Sequence, residues 1–179
     1  VGSELTAQPD VLIDFSLPEG TMRYLPLCRE KKVPMVIGTT GLAANQQAEI
    51  ADAASDMPIV FAANMSVGIN VLLKIVGQVA RSLGADYDIE ISETHHRFKK
   101  DAPSGTALRT ADLLGAARAG RAPATPTGGD DGGARGHVRA GVHVHSLRLP
   151  GLVAHQDVVF GGPGEVLTIR HDAMSRECY

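Results

Sequence analysis

The chain of 179 residues contains no tryptophan, and aromatic residues make up only 4% of it. Single-stranded nucleic acid is held by aromatic platforms lining a cationic groove. A net charge of -3 supplies no such groove, so neither nucleic acid nor an acidic membrane surface is expected as a partner. Two cysteines, Cys28 and Cys178, are too few for a disulfide framework. Unpaired thiols point instead to a reducing, cytoplasmic setting. No apolar run approaches the roughly 18 residues of a membrane helix. The longest helical apolar stretch, Ile69 to Ala80, is broken by Asn70, Lys74, Gly77 and Gln78. No basic and apolar signal segment opens the chain. With no H-E-x-x-H and no cysteine pair, no metal is expected.

Hydrophobic residues amount to 44%, enough for a core divided into two lobes. Through residue 61, short apolar runs alternate with helical stretches. Val11-Leu12-Ile13-Asp14-Phe15, Pro34-Met35-Val36-Ile37 and Ile59-Val60-Phe61 read as strands. Helices are expected from Pro18 to about Lys31 and from about Ala43 to Ala54. Strands apolar on both faces and separated by helices predict a parallel sheet covered on both sides. From Ser66 the pattern changes. Leu72, Ile75, Val76, Val79 and Leu83 keep helical spacing, and Tyr87, Ile89 and Ile91 alternate with Asp88, Glu90 and Ser92. A helix capped by Ser104 follows, with a stripe of Ala107, Leu108, Ala111 and Leu114. Residues 118–137 read as a mobile loop. Strands are then expected through Val138–Val144, at about Leu152–Phe160 and at about Glu165–His171, with Gly161–Gly164 as a hairpin turn. The expected fold is therefore α/β, a partial Rossmann-type parallel sheet followed by an α+β lobe whose sheet is mixed and mostly antiparallel. The division is placed near Met65–Gly68.

The densest chemistry lies between Glu93 and Thr106. His95 and His96, the cations Arg97, Lys99 and Lys100, and the turn Ser104-Gly105-Thr106 fall between a strand and a helix. Imidazole exchanges a proton near neutral pH. A lysine ammonium carries three donors, and the N–H groups of a helix start favour a carboxylate. The same residues read otherwise as solvated loop side chains. Gly38-Thr39-Thr40-Gly41 and Ala62-Ala63-Asn64 fall at carboxyl ends of strands, where α/β sheets bind ligands, or are plain turns. His143, His145, Arg148 and His155 read as an exposed polar sheet face or a subunit interface.

The run His95-His96-Arg97 through Ala102-Pro103-Ser104-Gly105-Thr106-Ala107 resembles the signature of the 4-hydroxy-tetrahydrodipicolinate reductase (dihydrodipicolinate reductase) family. Asp14-Phe15-Ser16, Val36 to Gly41, Ala62 to Asn70, His145 to Arg148 and His171 to Arg176 resemble further segments of it in the same order. The resemblance implies reduction of a cyclic imine dicarboxylate to tetrahydrodipicolinate by NADH or NADPH, in the diaminopimelate route to lysine. It implies a homotetramer built by the second lobe. By motif position, His95 is the proton donor and acceptor, and Lys99 a second donor. His96, Ser104, Gly105 and Thr106 would bind the dicarboxylate. Gly38, Thr39, Thr40, Ala62, Ala63, Asn64 and Met65 would touch the cofactor. Residues 1–65 would be a partial dinucleotide-binding domain, 66–171 the substrate and oligomerisation domain, and 172–179 the start of a return to the first.

The chain opens on Val1 and lacks the glycine-rich fingerprint that grips a pyrophosphate, as well as the residue that selects between NAD and NADP. The resemblance also implies final helices that are missing after Tyr179, so a fragment of a longer reductase lacking both ends, with cofactor binding weak or absent, is expected. Two other readings are another two-lobed nicotinamide oxidoreductase and a non-catalytic binding or assembly module.

Overall fold

The computed structural model describes residues 9–119 and 133–179. Residues 120–132, most of the stretch read as a mobile loop, lie outside the described residues. The chain divides into two compact units, Val1–Asn64 and Met65–Tyr179.

The first unit carries β1 (Leu12–Asp14), α1 (Pro18–Lys31), β2 (Met35–Ile37), α2 (Ala44–Ala53) and β3 (Ile59–Phe61). The three strands pair in parallel in the order β1-β2-β3. Pro18 opens α1 at a position whose N–H would have no partner anyway, and Lys32 closes it in the left-handed region at φ 55°. Thr21, Leu25 and Cys28 form its inner face. Leu25 and Cys28 pack with Met35, Ile37, Ile50, Ala53 and Met57 into one core. The expectation of a sheet covered on both sides is corrected here. Ile13, Val36 and Val60 share one row on the opposite face, and Ile13 and Val60 remain 66% and 56% exposed. Both helices in the described residues lie on the Met35–Ile37 side, so an apolar strand is here covered on one face only.

The second unit carries α3 (Val67–Ser82), β4 (Asp88–His96), α4 (Gly105–Ala117), β5 (His137–Arg139), β6 (Val142–Leu149), β7 (Ala154–Gly162), β8 (Glu165–Ala173) and a 3-10 turn at Arg176–Cys178. Its sheet runs β5-β6-β4-β7-β8. Only β4 with β6 is parallel. Leu72, Val76 and Ala80 of α3 and Ala107, Ala111 and Leu114 of α4 meet Ile89, Ile91, Val142, Val144, Val158 and Phe160 in the core. Each large side chain removed from water here contributes about 1.5–3 kcal/mol. Ser66 and Ser104 cap the two helices by accepting the Ile69 and Ala107 N–H groups.

The single strand expected through Val138–Val144 is instead a hairpin. Ala140 and Gly141 take φ 51° and 77°, a two-residue turn that pairs Arg139 with Val142. Two positive φ values in succession match the twist of the flanking strands. Ala140 is a poor residue for this turn, and the alternation of valines through it hid the reversal. At the other end of the former loop reading, Arg118 is buried at 7% exposure with its guanidinium on the Ala85 carbonyl.

Gly115 of α4 lies against that hairpin, where an added Cβ would stand 2.6 Å from the Ala140 carbonyl oxygen. Helix propensity alone favours alanine by roughly 1 kcal/mol. The backbone clash decides the sign, so Gly115→Ala should lower the unfolding free energy by roughly 1–3 kcal/mol in urea denaturation. A higher urea midpoint for the variant would contradict this packing.

Candidate active site

Residues 89, 91, 93 and 95 of β4 share one face by the two-residue repeat of a strand. Ile89 and Ile91 supply core, but the next place in the row is Glu93, fully buried at 0% exposure. Register puts Ser146 of β6 and Gln156 of β7 beside it, and Arg148 beside His95. A lone buried carboxylate would be costly. This one is surrounded by donors. Its Oε1 accepts from the Ser104 N–H at 3.1 Å and from Arg148 Nη2 at 2.9 Å. Its Oε2 accepts from Arg148 Nη1 at 3.0 Å and meets His95 Nδ1. Burial pushes the Glu93 carboxyl up, but hydrogen bonds from His95, Arg148 and Ser146 outweigh it and hold the group down at about 2.

His95 and His96 are the last two residues of β4, not loop residues as the sequence suggests. His95 turns inward to Glu93, while His96 Nε2 faces Arg176 Nη2 at 3.4 Å. The chain then turns through a bond from the Lys99 N–H to the His96 carbonyl, leaving Phe98 81% exposed. Lys99 Nζ lies 2.8 Å from Asp101 Oδ1. Burial raises the Asp101 carboxyl, but the Lys99 ammonium prevails and lowers it. Arg148 Nη2 also donates to the Asp101 carbonyl at 2.6 Å and pins the loop. After the cis Ala102–Pro103 bond, buried Ser104 starts α4. A Cβ built on Gly105 meets nothing within 4 Å, so the helix start faces open space. Its first N–H groups and the helix dipole suit a carboxylate there.

His95 and the Ser104 turn are therefore joined through Glu93, and Lys99 is joined to the same loop through Asp101. Arg148 is corrected from the outer sheet face to the inner one. His143, His145 and His155 do lie on the outer face. There His145 Nε2 is 2.9 Å from Glu90 Oε2, and Arg170 spans Asp157 and Asp172 at 3.3 Å and 2.8 Å.

The cofactor candidates sit at strand ends of the first unit, apart from Met65, which falls in the second. Gly38 donates its N–H to the Asp14 carbonyl at 2.8 Å, and the Phe15 ring fills the place of a side chain there. Thr39 is buried at 2% exposure and accepts the Ser16 N–H at 3.1 Å. Asp14 accepts from Thr21 Oγ1 at 2.5 Å and from the Ser16 N–H at 3.0 Å. Thr40, Gly41 and Ala63 are exposed, with Gly41 at φ 81°; Ala62 and Asn64 are partly buried. Small residues and open backbone at adjacent parallel strand ends fit the flat nicotinamide end of a dinucleotide. Among the described residues no group of three potential metal ligands converges, and no helix is long and apolar enough to cross a membrane.

The family model described as Dihydrodipicolinate reductase, N-terminus, matches residues 2–65, and that described as Dihydrodipicolinate reductase, C-terminus, matches residues 68–179. The 4-hydroxy-tetrahydrodipicolinate reductase of Hahella chejuensis is 44% identical over 167 residues, 93% of this chain and 62% of that protein. That of Carboxydothermus hydrogenoformans is 41% identical over 177 residues, 98% of this chain and 66% of that protein. Dipicolinate-bound dihydrodipicolinate reductase from Paenisporosarcina sp. TG-14 superposes with a TM-score of 0.79 at 36% identity, covering 97% of this chain and 66% of that one. The chain thus spans just under two thirds of the length of these relatives.

The low Glu93 value has a consequence for acid stability. The folded-state value lies below the ordinary 4.5, so its contribution is complete above about 4.5 and disappears as pH falls through about 2. The contribution is at most about 3 kcal/mol. Urea midpoints taken from pH 5 to 2.5 should fall more steeply for the native chain than for Glu93→Gln. Parallel curves would show that Glu93 is not the group protonated.

Proposed function

The chain belongs to the dihydrodipicolinate reductase family, and from that premise we propose that it is the substrate-gripping and proton-donating part of a 4-hydroxy-tetrahydrodipicolinate reductase. The observation that carries this reading is the shared carboxylate of Glu93, which couples a proton-bearing imidazole to the anion-ready start of α4.

The substrate is a cyclic imine bearing two carboxylates, formed by loss of water from the 4-hydroxy precursor. One carboxylate takes the N–H groups of Gly105 and Thr106, beside the capping Ser104. Lys99 and His96 bind the remaining negative charge; Lys99 leaves or shares Asp101 to do so. A bound reduced nicotinamide supplies the hydride. His95 gives the proton from Nε2 to the atom left electron-rich at the other end of the conjugated system, and Lys99 stands as a second donor. A dianionic substrate explains why Lys99 and a helix start follow the imidazole in one short run of chain, which a neutral sugar substrate does not require.

Gly38, Thr39, Thr40, Ala62, Ala63, Asn64 and Met65 are assigned to the nicotinamide end of NADH or NADPH. The reaction belongs to diaminopimelate and lysine biosynthesis. A cytoplasmic setting fits the two free thiols, Cys28 and Cys178. The outer face of the β5-β6-β4-β7-β8 sheet is the surface assigned to a homotetramer.

Calorimetric titration with pyridine-2,6-dicarboxylate, with and without NADH, tests the reading. Binding strengthened by NADH supports the reductase reading. Binding indifferent to NADH and NADPH would leave a dicarboxylate-binding module, and no binding would remove the assignment. His95→Gln should reduce kcat by roughly 10²–10⁴-fold with a smaller change in KM, the scale of a positioned acid. Lys99→Ala should weaken dicarboxylate affinity, and an unchanged Kd would exclude Lys99 from the grip.

A further inference from the structure

We propose that Glu93 is a positioning residue for the reduction, fixing the tautomer and aim of the His95 ring and tying that ring to the Ser104 end of the carboxylate grip. This rests on the function proposed above.

Glu93 is fully buried, so it acts through its neighbours and does not touch substrate. An ionised carboxylate only accepts hydrogen bonds. His95 Nδ1 faces Glu93 Oε2, so Nδ1 must carry the hydrogen and Nε2 is left as the exchanging nitrogen. When His95 gives its Nε2 proton away, the Nδ1 hydrogen stays on the ring, still donated to Glu93, and no internal proton shift or ring flip is needed before the next turnover. The aim of Glu93 is itself determined. Arg148 approaches both carboxylate oxygens, through Nη1 at 3.0 Å and Nη2 at 2.9 Å. Such a two-point fork specifies the plane as well as the position of its partner. The Ser104 N–H takes the remaining direction on Oε1 at 3.1 Å.

A single rigid group therefore sets both where the proton stands and where the helix start presents its N–H groups. A glutamine at 93 would keep one acceptor oxygen but turn an NH2 group toward donors that need an acceptor. It would disturb the imidazole and the grip together.

The test begins with the native chain. Ring-nitrogen correlation spectra of histidine labelled with nitrogen-15, assigned with His95→Gln, report which nitrogen is protonated in neutral His95. Protonated Nδ1 is expected; protonated Nε2 overturns the proposal whatever the activity. Glu93→Gln should then lose the single-tautomer signature. It should also lower kcat by roughly 10–100-fold, the range for groups that orient a functional imidazole, and weaken pyridine-2,6-dicarboxylate binding. If that variant does not fold, Glu93→Gln with Arg148→Met removes both charges and leaves neither unpaired. A folded variant of either kind with native tautomer, kcat and Kd overturns the role. Loss in His95→Gln without loss in the Glu93 variants removes positioning alone. Full activity in His95→Gln removes the function reading, while the native spectrum still decides the tautomer.

Discussion

The burial of one negative charge organises the second unit. Removing a carboxylate from water without partners is prohibitive, and Glu93 has its donors drawn from three different segments: Arg148 and Ser146 of β6, His95 of β4 and Ser104 at the start of α4. The end of β4, the start of α4 and the inner face of β6 cannot shift independently without leaving that charge exposed to apolar core. Hydrophobic packing of Ile91, Ala107 and Leu114 brings α4 onto the sheet, but it is non-directional. The carboxylate adds direction, setting the register at which the helix start meets the strand end.

The two faces of the sheet illustrate how position and not residue type decides role. His95 and His145 lie on strands that are direct neighbours, and each contacts a glutamate. His95 faces inward onto a partner that is fully buried. His145 faces outward onto Glu90, whose side chain is 39% exposed and solvated. An exposed pair of that kind contributes little and is screened by salt. Only the inward pair is held on every side.

Much of this was legible in the sequence. Helical periodicity located α3 and α4, apolar runs located β1 to β3, and the Ser104 cap was readable from its residue type. The His95-to-Ala107 run was specific enough to point to a family by itself. Four parts were missed for physical reasons. Glu93 follows Tyr87, Ile89 and Ile91 in strict alternation, so strand parity already placed it on the apolar face. Its charge masked that signal, because charged residues are read as outward. Arg148 shares parity with Val142 and Val144 and was misread as outer for the same reason. Conversely, the hairpin at Ala140-Gly141 broke no alternation and so gave no sign, and the open face of the first sheet depended on what covers it, which a run of apolar residues does not state.

The order of strands in the second sheet has a kinetic side. β4 is its centre and is synthesised first, yet its neighbours β6 and β7 come later, and Glu90 pairs with His143 in parallel register. Parallel, distant pairings close large loops and form slowly. Until Arg148 leaves the ribosome, Glu93 has no guanidinium to bury against, so the signature strand stays wet and unassembled while α3 and α4 can already begin to pair. The surroundings of Glu93 therefore cannot close before the β6 segment is made and finds β4, and that step sets how long a nascent chain carries this carboxylate without its guanidinium.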